Sequence, residues 1–357
     1  MSFTFILLVS AFCVLVVITS LFMLISFSLH ERNEKKARKW QQLEHRWEHL
    51  TESVLNKEIA PEKLWDNVDA DEKLFFLDYL YHKAEHMPWR LEHSPRYQQL
   101  MRLAEPYMPA MVHRLDYQEE ELRSRAVDTF GKLSPYQYRD ALRAALEDPS
   151  DAVAFAAFRA LVYSYDVGDA GLLIKTYPRF YAFQPAYLAI LLSHLPPETT
   201  MIPIMTHALQ TQNSDWCRMV ALLTLERWSP QIEHAGALAA LALSDQESEV
   251  IKGLILRVLL RWNAKNVLSE VVLDFAAQDS DYLRAYAMFA LGESPSPQGR
   301  ELLELGLTDP SRWVAIEAAQ SLAYLEDHGD RQITRQRRVS GSLLTYSQHQ
   351  TRDEVFV

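Results

Sequence analysis

Two short stretches of this chain carry residue types at a spacing that could do chemistry. His45-Arg46-Trp47-Glu48-His49 and His82-Lys83-Ala84-Glu85-His86 both read H-x-x-E-H. On a helix, histidines four apart share one face, and a glutamate beside the second stands where a general base would act on a metal-bound water. Of the two, His82, Glu85 and His86 form the better candidate, because the first match falls in a charged stretch next to a long apolar run. Neither has a recognisable third-ligand motif. A chain with 12 histidines and 47 acidic residues produces such matches readily, so solvated helix surface is the expectation and a metal-dependent hydrolase the alternative.

Other chemistry is sought without success. The 10 glycines form no G-x-G-x-x-G, Walker loop or G-x-S-x-G, so there is no phosphate cradle and no nucleophile elbow. The 2 cysteines cannot build a disulfide framework or a cysteine zinc site. Cys13 lies in an apolar run, and Cys217 takes a slot that Val153, Val250 and Val314 fill elsewhere, the pattern of a buried structural thiol. No catalytic, cofactor-binding or metal residue is therefore assigned, and the chain is expected not to be an enzyme. Charge narrows the partners. Residues 31–39 carry a net +3 and residues 329–357 a net +2, which leaves −16 for residues 40–328 of the total −11. A body that acidic repels phosphate backbones, so no nucleic acid is expected as partner, and no small-molecule substrate either.

The elements that would hold any site begin with an uncharged run of 27 residues, Phe3–Leu29. As a helix it would span roughly 40 Å, more than the ~30 Å of a bilayer core. It lacks the basic start, short core and small-residue cleavage site of a signal peptide, so residues 1–30 predict an uncleaved transmembrane anchor. The basic cluster Arg32, Lys35, Lys36, Arg38 and Lys39 on its C-terminal side places the rest of the chain in the cytoplasm by the positive-inside rule. Residues 31–60 predict a juxtamembrane amphipathic helix, with Trp40, Leu43, Trp47, Leu50 and Val54 on one seam. That seam suits a helix laid on the rest of the fold or a short dimer stalk. Residues 61–115 read as a helical N-terminal cap with an aromatic core of Phe75, Phe76, Tyr79, Tyr81 and Trp89.

Beyond the cap, one pattern recurs. The trio Leu122, Ala126, Phe130 returns as Val153, Ala157, Leu161, as Gln184, Leu188, Leu192 and as Cys217, Ala221, Leu225. It continues as Val250, Leu254, Val258, as Leu283, Ala287, Leu291 and as Val314, Ala318, Leu322, at steps of 31, 31, 33, 33, 33 and 31 residues. Each trio is followed by a turn and a second apolar-periodic stretch, so the unit is a pair of antiparallel helices. One pair cannot bury its own apolar face; stacked pairs share a continuous core. Asp148-Pro149-Ser150 and Asp309-Pro310-Ser311 stand at equivalent helix starts, where Asp or Ser accepts free amides and Pro is tolerated.

These residues resemble the short HEAT-like repeats of bilin-lyase type. Leu122-Arg123, Ala126-Val127 and Phe130 carry the likeness, as do Leu283-Arg284, Ala287-Met288 and Leu291, and Val314-Ala315, Ala318-Ala319 and Leu322. The likeness covers residues 116–328; the repeat at Gln184-Pro185 is degenerate, and three repeats keep the arginine, as Arg123, Arg218 and Arg284. It implies an all-α, armadillo-like α-solenoid of about seven helix pairs and, as the common use of such solenoids, protein binding. HEAT-repeat enzymes with a di-iron centre use repeated His-Glu dipeptides, whereas His30-Glu31 is the single one in this chain. Bilin ligation has no motif here.

Residues 329–357 lack periodicity and read as a disordered tail, with a kinase-like Arg337-Arg338-Val339-Ser340 and an apolar end at Val355-Phe356-Val357. The expectation for function is a membrane-anchored scaffold that binds a protein partner, basic or membrane-associated, along its second helices. Exposed acids there are Glu233, Glu270, Asp274, Glu301 and Glu304, and no cofactor is implied. The alternative is an obligate accessory subunit of an envelope-assembly or transport complex.

Overall fold

A computed structural model describes residues 3–87 and 94–328 of the chain, and among them every regular element is a helix. Trp89 and the tail motifs at Arg337–Ser340 and Val355–Val357 lie outside the described residues. The chain forms two compact units, the first ending at Ser164 and the second beginning at Tyr165.

The first unit opens with α1, Phe3–Leu55, one unbroken helix of 53 residues. Residues 31–50 hold no Gly or Pro and are rich in Glu, Lys, Arg and Gln, all strong helix formers, so the charged stretch prolongs the apolar helix instead of ending it. Lys57, in the left-handed region at φ 62°, stops it. Among the described residues no helix is long and apolar enough to cross a membrane. The expected single-pass anchor at Phe3–Leu29, with repeats held in the cytoplasm, is corrected accordingly: the run is the first half of a longer helix that continues through Arg38, Lys39 and Arg46. Large apolar side chains of that half, among them Phe12, Leu21, Phe22, Met23 and Phe27, are exposed.

The second half of α1 lies on the cap. After α2, Glu62–Trp65, come α3, Lys73–Glu85, α4, Pro95–Ala104, and α5, Pro109–Val112. Leu43, Trp47 and Val54 are buried against this cluster, and Trp47 sits edge-on to Phe76 at 5.0 Å and tilted to Tyr79 at 5.7 Å. The seam therefore serves intramolecular packing. Fully burying each such aromatic contributes roughly 1.5–3 kcal/mol. Two helix hairpins begin next, α6, Glu120–Leu133, with α7, Arg139–Ala145, and then α8, Asp151–Tyr163.

In the second unit the helices are α9, Ala170–Thr176; α10, Pro185–Leu192; α11, Pro197–Leu209; α12, Asp215–Arg227; α13, Ala235–Ala242; α14, Glu249–Arg261; α15, Lys265–Ala276; α16, Asp281–Glu293; α17, Pro297–Gly306; and α18, Arg312–His328. The trios fall on α6, α8, α10, α12, α14, α16 and α18, with Gln184 as the N-cap of α10. Within this unit α12 packs on α10, α14 on α12, α16 on α14 and α18 on α16, while α13 lies against both α11 and α15. Stacked helix hairpins of this kind are consistent with an α-solenoid. Ser214, Ser248 and Ser280 cap α12, α14 and α16 by accepting from the third amide onward, at 3.3, 3.4 and 3.3 Å. Ser150 departs from the expected cap: its hydroxyl donates to Glu120 at 2.8 Å instead.

The seams between first helices follow one register. Five residues after the trio centre of α6 stands Gly131, and three after that of α8 stands Ala160; a Cβ on Gly131 would lie 2.4 Å from the Ala160 Cβ. The same two positions in α16 and α18 hold Gly292 and Ser321, where the added Cβ would meet the Ser321 Cβ at 2.7 Å. In α12 and α14 these positions are Glu226 and Arg257, and the guanidinium reaches both carboxylate oxygens, at 2.8 and 2.7 Å. Close backbone approach and ion pairing thus occupy one geometric slot. The next repeat also closes helix ends: Trp228 donates to the Ser193 carbonyl at 3.3 Å and Trp262 to the Leu225 carbonyl at 3.1 Å, both in the last turn or cap of the preceding first helix.

The repeat arginines and the acids before the following helices come together. Arg123 forks onto Asp148 at 2.8 and 2.9 Å and also donates to the Tyr117 and Gln118 carbonyls. Arg284 repeats this with Asp309, at 2.8 and 3.0 Å, and with the Gln278 and Asp279 carbonyls. Asp148 and Asp309 in turn accept the Ser150 and Ser311 amides, each at 2.8 Å. In the third case Arg218 meets Glu247, both 3% exposed in their side chains, and donates to the Ala208 carbonyl as well. These clamps tie each hairpin's closing loop to its own first helix.

One clamp carries a pH signature. The hydrogen bond from Arg284 holds the Asp309 carboxyl below its ordinary range, with the Ser311 amide acting in the same direction. A depressed carboxylate pKa stabilises the fold fully above the unfolded value of about 3.9, and that share is lost as pH falls through the folded value. Asp309→Asn is expected to lower stability by about 1 kcal/mol at pH 7, as a neutral acceptor replaces a charged one. Denaturant midpoints measured from pH 7 down to pH 2 should draw together for wild type and variant at the acid end; a constant offset would contradict the assignment.

Candidate interaction surface

The middle first helices, α14 and α16, are covered on most sides by the stack; Leu256 is 0% and Phe289 7% exposed. The second helices leave one side open. On α15, Leu268, Val271, Val272 and Phe275 face inward, while Ser269, Glu270 and Leu273 are exposed. On α17, Leu303 faces inward, with Arg300, Glu301, Glu304 and Leu305 exposed. Glu270 and Glu301 hold equivalent positions, each two residues past an inward-facing one, Leu268 or Gly299.

The expected acids are found as follows. Glu233 is exposed in the 3-10 turn Ile232–His234 before α13. Glu270 and Glu301 are exposed and make no ion pair among the described residues. Asp274 is half-buried and accepts from Gln278 at 3.0 Å, and Glu304 is exposed and accepts from Arg300 at 3.3 Å. Arg300 also reaches Glu326, near the end of α18, at 3.5 Å. Apolar side chains stand among these acids: Leu305 is 68% and Leu273 39% exposed, with Ile232 at 51% beside Glu233. On α13 the outward Gly236 has open space above it. Acids and apolar points thus share the exposed sides of these helices, and sequence spacing did not signal the leucines.

The metal candidates are placed differently. His82 and Glu85 approach to 3.5 Å on the exposed side of α3, but His86 turns its Nδ1 onto the His82 carbonyl of its own helix, at 2.8 Å. The His82 ring stands edge-on to Trp40 at 5.7 Å. On α1, His45 and His49 are exposed, while Glu48 takes hydrogen bonds from Tyr79 and Lys83. Among the described residues no three His, Cys, Asp or Glu side chains are grouped to hold a metal ion. Cys217 is buried, and its carbonyl accepts from the Tyr177 hydroxyl at 3.1 Å.

No protein-family model and no curated protein matches the chain. Among solved structures it is similar to an engineered protein at 14% identity and a TM-score of 0.34, over 70% of this chain and 78% of that one. It is also similar to human deoxyhypusine hydroxylase in complex with glycerol, at 16% identity and a TM-score of 0.30, over 80% and 98% of the two chains. Likenesses this distant assign no activity. The expectation that the chain is not an enzyme is corrected to this extent: one neighbour is an enzyme, and absence of catalysis is not carried further.

Proposed function

We propose that this is a HEAT-like helical-repeat scaffold whose second helices bind a basic segment of a protein partner. The supporting observation is that both second helices present acids beside an exposed leucine, Glu270 with Leu273 on α15 and Glu301 and Glu304 with Leu305 on α17. Leucines would supply contact area, and the acids would steer a cationic segment and select its register. The net −16 of residues 40–328 disfavours nucleic acid on the same ground.

The test is a titration of the whole chain with a synthetic 20-residue helical peptide of leucine and lysine, followed by fluorescence anisotropy. Binding should be micromolar at low salt and weaken as salt rises. The triple variant Glu270→Lys, Glu301→Lys, Glu304→Lys should lose at least about tenfold in affinity, about 1.4 kcal/mol. Equal binding by the two proteins would end the proposal.

A second reading, an obligate subunit of a larger assembly, is favoured by the exposed apolar side chains on the first half of α1. A chain starting at residue 38 keeps the Trp40–Val54 packing and separates the readings. A stable monomer supports the scaffold, whereas aggregation traced to the repeats themselves supports the subunit.

A further inference from the structure

Against the acidic body of the chain, one concavity in the first unit is cationic. It has a volume of about 490 Å³ and lies where α1 passes the start of α3. Cavities that hold small molecules fall in this range. Lys35, Arg38, Lys39 and Arg46 line it, with Gln42 and Leu43, against one acid, Glu72. Residues 35, 38, 39, 42 and 46 follow helical spacing and so share one side of α1. Arg46 and Glu72 cancel each other: the Glu72 side chain, 8% exposed, accepts from the guanidinium and from the Asp69 amide at 3.3 Å. The other three cations are held loosely. Lys35 and Arg38, each 74% exposed, pair with Glu31 and Glu34 one turn back, both at 2.7 Å. Lys39 lies over the Phe75 ring at 5.3 Å and reaches the exposed Asp71 at 3.4 Å. Exposed pairs of this kind add little to stability and exchange readily.

We infer that this concavity binds a compact anion carrying two or more phosphate groups, with Lys35, Arg38 and Lys39 as its ligating side chains. Each of these cations now meets a single carboxylate charge. An anion of three or more charges set among all three outcompetes those carboxylates, because Coulomb energy scales with the product of the charges. From residue 35 to residue 39 the helix rises only about 6 Å, so one small anion can meet all three heads. The planar fork of Arg38 suits two oxygens of one phosphate, and the lysines act as point charges on its neighbours. Compactness follows from the surroundings. A long phosphate backbone would run out of the concavity past the exposed Asp69 and Asp71 onto the acidic body, where it is repelled.

The test is calorimetric titration of the full chain with inorganic tripolyphosphate at low salt. The variant Lys35→Gln, Arg38→Gln, Lys39→Gln should bind about tenfold more weakly than wild type, or worse. A control, Lys63→Gln, Lys265→Gln, Arg312→Gln, removes the same charge from exposed positions elsewhere and should stay within about twofold of wild type. The pair Glu31→Gln, Glu34→Gln should tighten binding about threefold, because it frees Lys35 and Arg38 from their present partners. All of these residues are exposed, so circular dichroism should not change. Inositol trisphosphate as a second probe distinguishes the source. Tighter binding of it assigns a lipid-type headgroup, tighter binding of tripolyphosphate a free phosphate chain, and either result supports the site. No binding of either probe, equal losses in the two triple variants, no tightening in the Glu31, Glu34 variant, or equal displacement by sulfate at matched ionic strength would overturn the inference.

Discussion

Replacing Glu247 by alanine is expected to cost the second unit about 3–5 kcal/mol, the largest effect of any single exchange foreseen here. The carboxylate is 97% covered and meets an equally covered Arg218 through two hydrogen bonds, one of 2.8 Å. It also accepts the Ser248 amide at 3.0 Å, so its loss unties the start of α14. Arg218 cannot shed its charge, and it would be left with the Ala208 carbonyl at 3.2 Å and the exposed Asp215 at 3.7 Å. What destabilises is the stranded guanidinium, not the missing attraction. The double exchange Arg218→Met, Glu247→Leu should therefore recover most of the loss. Urea unfolding followed by circular dichroism distinguishes the cases. A double variant as weak as Glu247→Ala would show that the pair's attraction, and not the orphaned charge, sets the penalty.

Gly131→Ala gives the second large effect, against the usual trend. A helix-interior Gly→Ala exchange ordinarily stabilises by up to about 1 kcal/mol. Here the new methyl would lie 2.4 Å from the Ala160 Cβ and 3.3 Å from its Cα, neither of which is a flexible group that can swing aside. The seam between α6 and α8 must open, and overpacking of this type costs about 1–3 kcal/mol. The net expectation is a destabilised first unit, worse for Gly131→Val. Adding Ala160→Gly removes the opposing methyl and should restore the midpoint to within about 1 kcal/mol of wild type. Thermal melts of the three proteins check this; stabilisation by Gly131→Ala alone would refute the seam geometry.

The trios were legible because burial of one helix face imposes a period on the sequence, and a period survives substitution of its members. The clamps were legible only in halves. Arg123, Arg218 and Arg284 could be seen as a partial signature, and Asp148-Pro149-Ser150 and Asp309-Pro310-Ser311 as helix starts. Nothing local says that residues 25 apart fork onto one another. Glu226 and Arg257 went unread, since a charged pair within an apolar stack breaks the pattern that reveals the stack. That the apolar run and the charged helix after it form one element, α1, was not legible for a related reason. A shift from apolar to charged residues marks a change of surroundings, whereas backbone continuity depends on propensity, which Glu, Lys, Arg and Gln satisfy. Of the interaction face, spacing found the acids; the exposed Leu273 and Leu305 have the same type as core residues, and only coordinates separate them.

The shared slot between first helices also bears on how such a chain can change over time. If one hairpin were excised so that α12 came to rest on α16, Glu226 would face the position of Ala290 and stand without its arginine in a dry cleft. Duplicating α16 would instead set a glycine against an alanine and pass unnoticed. Modules here are tolerant of copying at some joints and closed to it at others, and the joint kept by Glu226 and Arg257 fixes which neighbour each may have.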